Sequence, residues 1–181
     1  MVANGDAPAE PALVLRDAVA DDLAWVVDAH RAIYLGDLQW PASFLPVVEG
    51  LVMDIGPRML AGKDDPNRRE RMWVAAVDGT RVGAVFLVAH DRDPEAAKLR
   101  MLVVTAAARG HGVGAALVSA VVAFARNAGY GRIELWTEDS LESARRLYAR
   151  AGFVIVATAP SEVVAGNTAE TWSLDLGSAG A

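Results

Sequence analysis

The stretch "ARGHGVGAAL", residues 108–117, places three glycines two positions apart behind an arginine, where an apolar run ends and a helical pattern begins. Glycine adopts left-handed torsions and lets the backbone approach a ligand closely. A helix N-terminus also offers free N–H groups and a partial positive charge, which favour an anion. The stretch therefore predicts either a phosphate or pyrophosphate site or simply a tight turn from strand to helix.

The surrounding pattern argues against two other nucleotide sites. A dinucleotide-binding fingerprint reads G-x-G-x-x-G after the first strand of a parallel unit, whereas the spacing here is G-x-G-x-G after about four strands. A P-loop needs G-K followed by Ser or Thr, which the stretch lacks. The anion, if one binds, belongs to another class of site.

Composition restricts the chemistry. The 181 residues suffice for one domain, and hydrophobic residues at 53% against 22% charged predict a folded chain. The chain has no cysteine, which excludes disulfides, thiolate zinc sites and a covalent thioester on a cysteine side chain. Its three histidines are scattered, so we predict no metal site.

Charge and hydropathy bear on partners. The net charge of −6 argues against a nucleic-acid partner, because binding a phosphate backbone needs many Lys and Arg residues. The longest apolar run, residues 112–125, is shorter than the roughly 20 residues of a membrane span. The first residues do not resemble a signal peptide. We therefore expect a cytoplasmic protein with no membrane partner.

Periodicity predicts a mixed order of strands and helices. Residues 12–17 form a first strand, and Asp21 or Asp22 caps a helix that reaches Tyr34. A second helix covers residues 48–59, and residues 61–71 form a loop. Asp78 and Gly79 then divide two β-rich runs over residues 72–89, which predicts a hairpin.

The second half alternates strand and helix. A strand over 98–104 leads into the glycine stretch and a helix that ends near residue 127. A strand over 132–137 follows, and Asp139 with Glu142 resembles a capping box for a helix that Gly152 stops. "FVIVA" and "ETWSLDL" predict a final hairpin.

The chain resembles the GNAT superfamily of acyl-CoA N-acyltransferases. Arg109, Gly112 and Gly114 match that superfamily's [QR]-x-x-G-x-[GA] loop, and "VDGTRVGAVFLV" and "ESARRLYARAGF" resemble its second and third strands and its last helix. Within it, "AKLRMLVV" and "LWTEDSLESARRLY" resemble most the acetyltransferase half of bacterial MarR–GNAT fusion proteins. The resemblance implies a mixed α/β fold in which helices flank a mostly antiparallel sheet with splayed fourth and fifth strands. It covers a domain over residues 11–176, with flexible termini at 1–10 and 177–181.

The resemblance also implies acetyl-CoA as co-substrate. The exposed backbone of the splayed fourth strand would pair with the pantetheine arm and polarise the thioester carbonyl. The residues concerned are Leu102, Val103 and Val104. N–H groups of the glycine stretch would hold the pyrophosphate. These residues are Arg109, Gly110, His111, Gly112, Val113, Gly114 and Ala115.

Tyr148 matches the superfamily's tyrosine near the coenzyme sulfur. Its hydroxyl would donate a proton or a hydrogen bond to the leaving thiolate, or else the ring is simply core. Many members carry Asn seven residues earlier, where this chain has Leu141. A coenzyme contact from Glu138 or Ser143 would compensate for that difference.

The acceptor side is less patterned. Glu138 is our first choice as general base and Glu134 our second, with a water chain as the alternative. Tyr34, Trp40 and Phe44 are interpreted as substrate contacts or as core. His111 is expected to face solvent and His30 to lie in the core or a pocket wall. Lys98 and Arg100 are interpreted as the exposed start of the fourth strand.

These residues predict an N-acetyltransferase that moves the acetyl group of acetyl-CoA to a primary amine of a small molecule or peptide. A non-catalytic acyl-CoA-binding or sensing module is the alternative, since Leu141 departs from the pattern. A toxin that acetylates aminoacyl-tRNA is a third hypothesis, which the acidic balance disfavours. A homodimer is compatible with the resemblance.

Overall fold

The computed structural model describes residues 12–177, so the expected flexible termini lie, apart from Gly177, outside the described residues. Seven strands and four α-helices follow one another in the order that the sequence predicts. They are β1 (Leu13–Asp17), α1 (Ala20–Arg31), α2 (Leu45–Ala61), β2 (Arg71–Val77), β3 (Thr80–Ala89), β4 (Ala96–Val104), α3 (Val113–Asn127), β5 (Arg132–Glu138), α4 (Glu142–Arg150), β6 (Val154–Pro160) and β7 (Thr168–Asp175).

The strands form one seven-stranded sheet in the order β1-β2-β3-β4-β5-β7-β6. Every neighbouring pair is antiparallel except β4 and β5, which are parallel. The β2–β3 hairpin turns at Asp78 and Gly79, whose φ values of 49° and 78° are those of a tight turn with both central residues left-handed. This confirms the predicted mixed α/β fold with a mostly antiparallel sheet.

Helices cover both faces of the sheet and bury two cores. On one face α1 and α2 bury Val26 and Val52 against Phe86 of β3. On the other face α3 and α4 bury Leu117 against Leu87, the neighbour of Phe86 on β3. Successive strand residues point to opposite faces, which is why one strand serves both cores. Each such fully buried side chain stabilises the fold by roughly 1.5–3 kcal/mol.

The predicted cap of α1 is wrong. The N-cap residue is Val19, and Asp22 lies three residues further on, where its carboxylate accepts a hydrogen bond of 2.8 Å from the Val19 N–H. Asp22 is fully buried and also binds the guanidinium groups of Arg16 at 2.6 Å and Arg81 at 2.8 Å. Burial opposes the charge of Asp22, but the Arg16 hydrogen bond and the other partners outweigh it, so the pKa is lowered.

Two further local predictions differ from the structure. Asp139 and Glu142 do not form a capping box, because α4 begins at Glu142 and its N-cap is Leu141. Glu142 instead accepts a hydrogen bond from Arg146 one turn later. β4 begins at Ala96, two residues before the predicted start, since Ala96 already pairs with Arg132 of β5.

Candidate active site

The parallel pairing of β4 and β5 is short. Only Ala96–Lys98 pair with Arg132–Glu134, and beyond these residues the two strands no longer pair with each other. Met101 has a φ of 56°, and the β3–β4 register shifts at this point. Such a bulge adds one residue to the strand and bends it. The facing edges of β4 and β5 therefore carry backbone groups that are free for a ligand, as the predicted splay requires.

The glycine stretch follows β4 directly. A short 3₁₀ turn over Ala106–Ala108 leads to Gly112, the N-cap of α3. The N–H of Arg109 bonds to Ala106 O at 3.3 Å, and the N–H of Ala116 bonds to Gly112 O at 2.9 Å. Among the described residues, the six N–H groups between them, residues 110–115, have no acceptor. We call residues 110–115 the amide loop; it presents consecutive donors at a helix N-terminus, where an anion is favoured.

The three glycines of the amide loop serve two purposes. Gly110 and Gly112 have φ values of 80° and 78°, in the left-handed region that other residues rarely adopt. A Cβ at Gly114 would lie 3.1 Å from Leu147 Cδ2, so Gly114 allows α3 to approach α4 closely. The loop therefore needs glycine for torsion at two positions and for packing at the third.

The side chains around the amide loop face solvent. Arg109 forms a salt bridge of 3.0 Å with Asp37, and both side chains are 45% exposed. His111 is exposed as expected, with Nδ1 3.0 Å from Arg109 O. Ser143 is exposed and accepts a hydrogen bond of 3.2 Å from Arg146. Backbone N–H groups, more than side chains, thus dominate this end of the site.

A cleft of about 510 Å³ opens between α1–α2 and the separated strands. Three aromatic residues form one wall, and their ring centroids lie 4.7 to 5.3 Å apart. This aromatic wall consists of Tyr34, Trp40 and Phe44. Tyr34 lies in a π-helical turn, Ala32–Asp37, that continues α1. The structure therefore brings together the three residues that the sequence analysis interprets as substrate contacts or core.

His30 lies behind the aromatic wall. It is 2% exposed, stacks on Tyr34 at 5.7 Å, and its Nδ1 lies 2.7 Å from Val26 O. Burial lowers its pKa to about 4, although the bond to Val26 opposes that shift. The imidazole is therefore neutral at physiological pH and lies in the cleft wall.

Tyr148 of α4 closes the other side of the cleft. It is 5% exposed and packs near Phe153 and Trp172, with centroid distances of 5.9 and 6.3 Å. It also lines the cleft, and no hydrogen bond among residues 12–177 involves its hydroxyl. Burial raises the pKa of this phenol, and the nearby Tyr34 hydroxyl raises it further. Tyr148 is thus a protonated donor in a largely apolar setting.

The two candidate carboxylates occupy different environments. Glu138 is fully buried and accepts a hydrogen bond of 2.6 Å from Ser161 Oγ, while its Oε2 atom has no partner among the described residues. Burial raises the pKa of Glu138, which does not line the cleft. Glu134 does line the cleft, and Arg132 Nε donates to it at 2.8 Å.

The structure adds two cations to the cleft. Lys98 and Arg100 are not simply the exposed start of β4 but line the cleft with Glu134. Their alternation onto one face of the strand is visible in the sequence, whereas the side of the sheet they face is not. Leu141 and Ala144 of α4 also line the cleft.

Two kinds of feature are absent from the described residues. From residue 12 to 177, no group of three His, Asp or Glu side chains is placed to hold a metal ion. No helix in the described part of the chain is both long enough and apolar enough to span a bilayer.

Known proteins share sequence with this chain. The family described as "Acetyltransferase (GNAT) family" matches residues 36–153. N-acetylaspartate synthetase from Rattus norvegicus is 35% identical over 96 residues, which amount to 53% of this chain and 32% of that protein. The chain therefore spans about a third of the length of this curated relative.

Solved structures share the fold. The Salmonella typhimurium yncA protein, solved with its cofactor acetyl-CoA, has a TM-score of 0.71 at 18% identity, covering 94% of this chain and 97% of that one. An N-acetyltransferase from Staphylococcus aureus Mu50 has a TM-score of 0.73 at 16% identity, covering 91% and 99%. At these identities the likeness concerns the fold alone.

Proposed function

Because this chain belongs to the acetyltransferase (GNAT) family, we propose that it transfers the acetyl group of acetyl-CoA to a primary amine of a small molecule or peptide by direct attack. The observation that carries the proposal is the meeting of three features in one place. The separated strands and Tyr148 line the same cleft, and the amide loop follows directly on β4, one of those two strands. Acyl transfer needs each of these, because it requires a held coenzyme, a polarised carbonyl and a stabilised leaving group.

The backbone holds the coenzyme in this proposal. N–H groups of residues 110–115 bind the pyrophosphate, since none of the six has an acceptor within the described chain. The N–H of Arg109 is already bonded to Ala106, so we assign Arg109 an electrostatic role through its side chain. The backbone of Leu102, Val103 and Val104 pairs with the pantetheine arm. Ser143 lies on the exposed side of α4, and we assign it a coenzyme contact through its hydroxyl.

The transfer step forms one bond and breaks another. The neutral amine nitrogen bonds to the acetyl carbon, while a β4 N–H stabilises the charge that develops on the carbonyl oxygen. The carbon–sulfur bond then breaks, and sulfur leaves with the electron pair as a thiolate. The nitrogen loses its proton through water to a carboxylate.

Tyr148 donates a hydrogen bond to the leaving thiolate. Its raised pKa lies well above that of a thiol, ordinarily about 8.5, so complete transfer of the phenolic proton to sulfur is unfavourable. A donor with no other partner among the described residues can nonetheless stabilise the charge that develops on sulfur. Of the two roles that the sequence leaves open, hydrogen-bond donation therefore has the better physical support.

We assign proton acceptance to Glu134, the second choice from sequence, because it lines the cleft and Glu138 does not. The two carboxylates provide a matched test. Glu134→Gln should lower kcat, with the loss partly rescued at higher pH, whereas Glu138→Gln should leave kcat within about twofold. Equal effects of both substitutions would contradict the assignment.

The decisive experiment is calorimetric titration with acetyl-CoA, followed by a thiol-release assay with a panel of amines. Binding with amine-dependent release supports the enzyme. Binding without release from any amine favours the non-catalytic binding module. No binding would mean that the amide loop is only a tight turn. Closeness to the MarR–GNAT fusions stays a prediction.

A further inference from the structure

The two cations of the cleft lie on the α1–α2 side of the sheet. Lys98 and Arg100 are two residues apart on β4 and pair across the ladder with Val88 and Phe86. Both β3 partners belong to the core under α1 and α2. Since directly opposed residues share a face, Lys98 and Arg100 point to that side as well. Tyr148 belongs to the core on the opposite face.

This placement separates the cations from the coenzyme site. The amide loop begins α3, which packs on the face that also carries α4. A coenzyme held there reaches the gap between β4 and β5 from the α3–α4 side. The cations and the aromatic wall flank the same gap from the other side, where an acceptor must arrive. Lys98 and Arg100 are therefore positioned to meet the acceptor.

Arg100 has no hydrogen-bonded partner in the described part of the chain, although its charge interacts with Asp91, the carboxylate bound to Lys98. Lys98 is paired with Asp91 and its side chain is 19% exposed. Arg100 is half-buried and lines the cleft, yet it forms neither a salt bridge nor a side-chain hydrogen bond with any residue from 12 to 177. A partly desolvated guanidinium offers several unused donors in a planar fork that fits a carboxylate.

Among the residues from 12 to 177, the two carboxylates near the cleft cations are already paired, Asp91 with Lys98 and Glu134 with Arg132. Glu134 is the carboxylate among the lining residues, and Arg132 donates to it at 2.8 Å. The cleft lining carries two cations, Lys98 and Arg100, against one carboxylate, Glu134, so it bears a small positive excess in a chain with a net charge of −6. Such a wall attracts an anionic group and repels a polycation.

Resting on the proposed function, we propose that the acceptor is a small primary amine that also carries a carboxylate, such as an α-amino acid. Arg100 binds the carboxylate and is the specificity-determining residue. Lys98 adds to the positive potential, and the aromatic wall contacts the apolar part of the acceptor. The same cations disfavour polyamines and aminoglycosides.

The test compares amines that differ only by the carboxylate. L-leucine is paired with isoamylamine and L-phenylalanine with phenethylamine in the thiol-release assay, and spermidine is added as a polycation. We expect kcat/KM to be at least about tenfold higher for each acid than for its decarboxylated partner, because a hydrogen-bonded charge pair contributes on this scale. Equal or faster turnover of the decarboxylated amines or spermidine would overturn the proposal while leaving the acetyltransferase function intact.

Variants of Arg100 connect the preference to this residue. Arg100→Gln should raise KM for the amino acid about 10- to 100-fold and leave KM for acetyl-CoA and for the decarboxylated amine within about twofold. Arg100→Lys should retain part of the preference for the amino acid, since lysine keeps the positive charge but lacks the planar donors of the guanidinium group. Arg126→Gln, an exposed position on α3, is the matched control and should change nothing.

The outcomes separate the two hypotheses. If Arg100→Gln raises KM equally for the amino acids and for the decarboxylated amines, Arg100 does not bind the carboxylate and the inference is wrong. If no amine of any class releases thiol although acetyl-CoA binds, the proposed function itself fails. Thermal unfolding of each variant shows whether a loss reflects folding, and Arg100→Lys keeps the test valid if the Gln variant is unstable.

Discussion

Replacing Gly112 by alanine tests whether the amide loop binds the pyrophosphate. Gly112 has a φ of 78°, and a Cβ there would meet no heavy atom within 4 Å, so the substitution adds torsional strain without a clash in the free protein. Holding a non-glycine residue in the left-handed region costs roughly 1–2 kcal/mol. If the loop relaxes in the free variant, binding must restore the strained form, which weakens affinity about 5- to 30-fold.

Gly129 provides the matched control. It has a φ of 77°, and a Cβ there would also meet nothing within 4 Å, but it follows the C-terminal end of α3, at the other end of the helix from the amide loop. Gly129→Ala should therefore lower thermal stability without changing the Kd for acetyl-CoA measured by calorimetric titration. Pantetheine, which lacks the pyrophosphate, should bind the Gly112 variant and wild type alike. An unchanged Kd for acetyl-CoA in Gly112→Ala would refute the role of the loop.

Three further substitutions probe the leaving group and two buried carboxylates. Tyr148→Phe should lower kcat about 10- to 100-fold by removing one hydrogen bond to the thiolate, with Kd for acetyl-CoA unchanged in titration; an unaltered kcat would make Tyr148 only a core residue. Asp22→Asn should lower the free energy of unfolding by about 2 kcal/mol and Tm by roughly 4–8 °C, because Arg16 and Arg81 lose their shared carboxylate. Since the pKa of Asp22 is lowered, this difference should shrink as the pH falls below the ordinary value of 3.8. Burial raises the pKa of Glu138, so wild type should lose stability relative to Glu138→Gln as the pH rises above the ordinary value of 4.5, and a pH-independent difference in urea unfolding would contradict this.

Element order was predictable because its signals are local. The Asp78–Gly79 turn, the helical spacing from Val48 to Met59 and the stop at Gly152 each depend on a few neighbouring residues. The caps were less predictable. Aspartate is a common N-cap residue, so the sequence favours Asp22 at that position. In the structure Asp22 lies three residues after the N-cap, because it is buried between two arginines from β1 and β3.

Which charged side chains line the cleft could not be predicted from neighbouring residues in the same way. Glu134 and Glu138 occupy the same strand and the same face, since they are four positions apart, yet Glu134 lines the cleft and Glu138 is buried under Ser161. Similarly, Lys98 and Arg100 resemble a solvated strand end until the structure shows where β4 leaves β5.

The sequence by itself determined the backbone of the amide loop, because the torsions at Gly110 and Gly112 and the start of α3 depend on residues adjacent in the chain. Tertiary structure decided the cleft and its charged lining. The point where β4 and β5 cease to pair and the bulge at Met101 arise from the packing of distant segments. Those long-range contacts determine which charges remain in the cleft and which are paired or buried elsewhere.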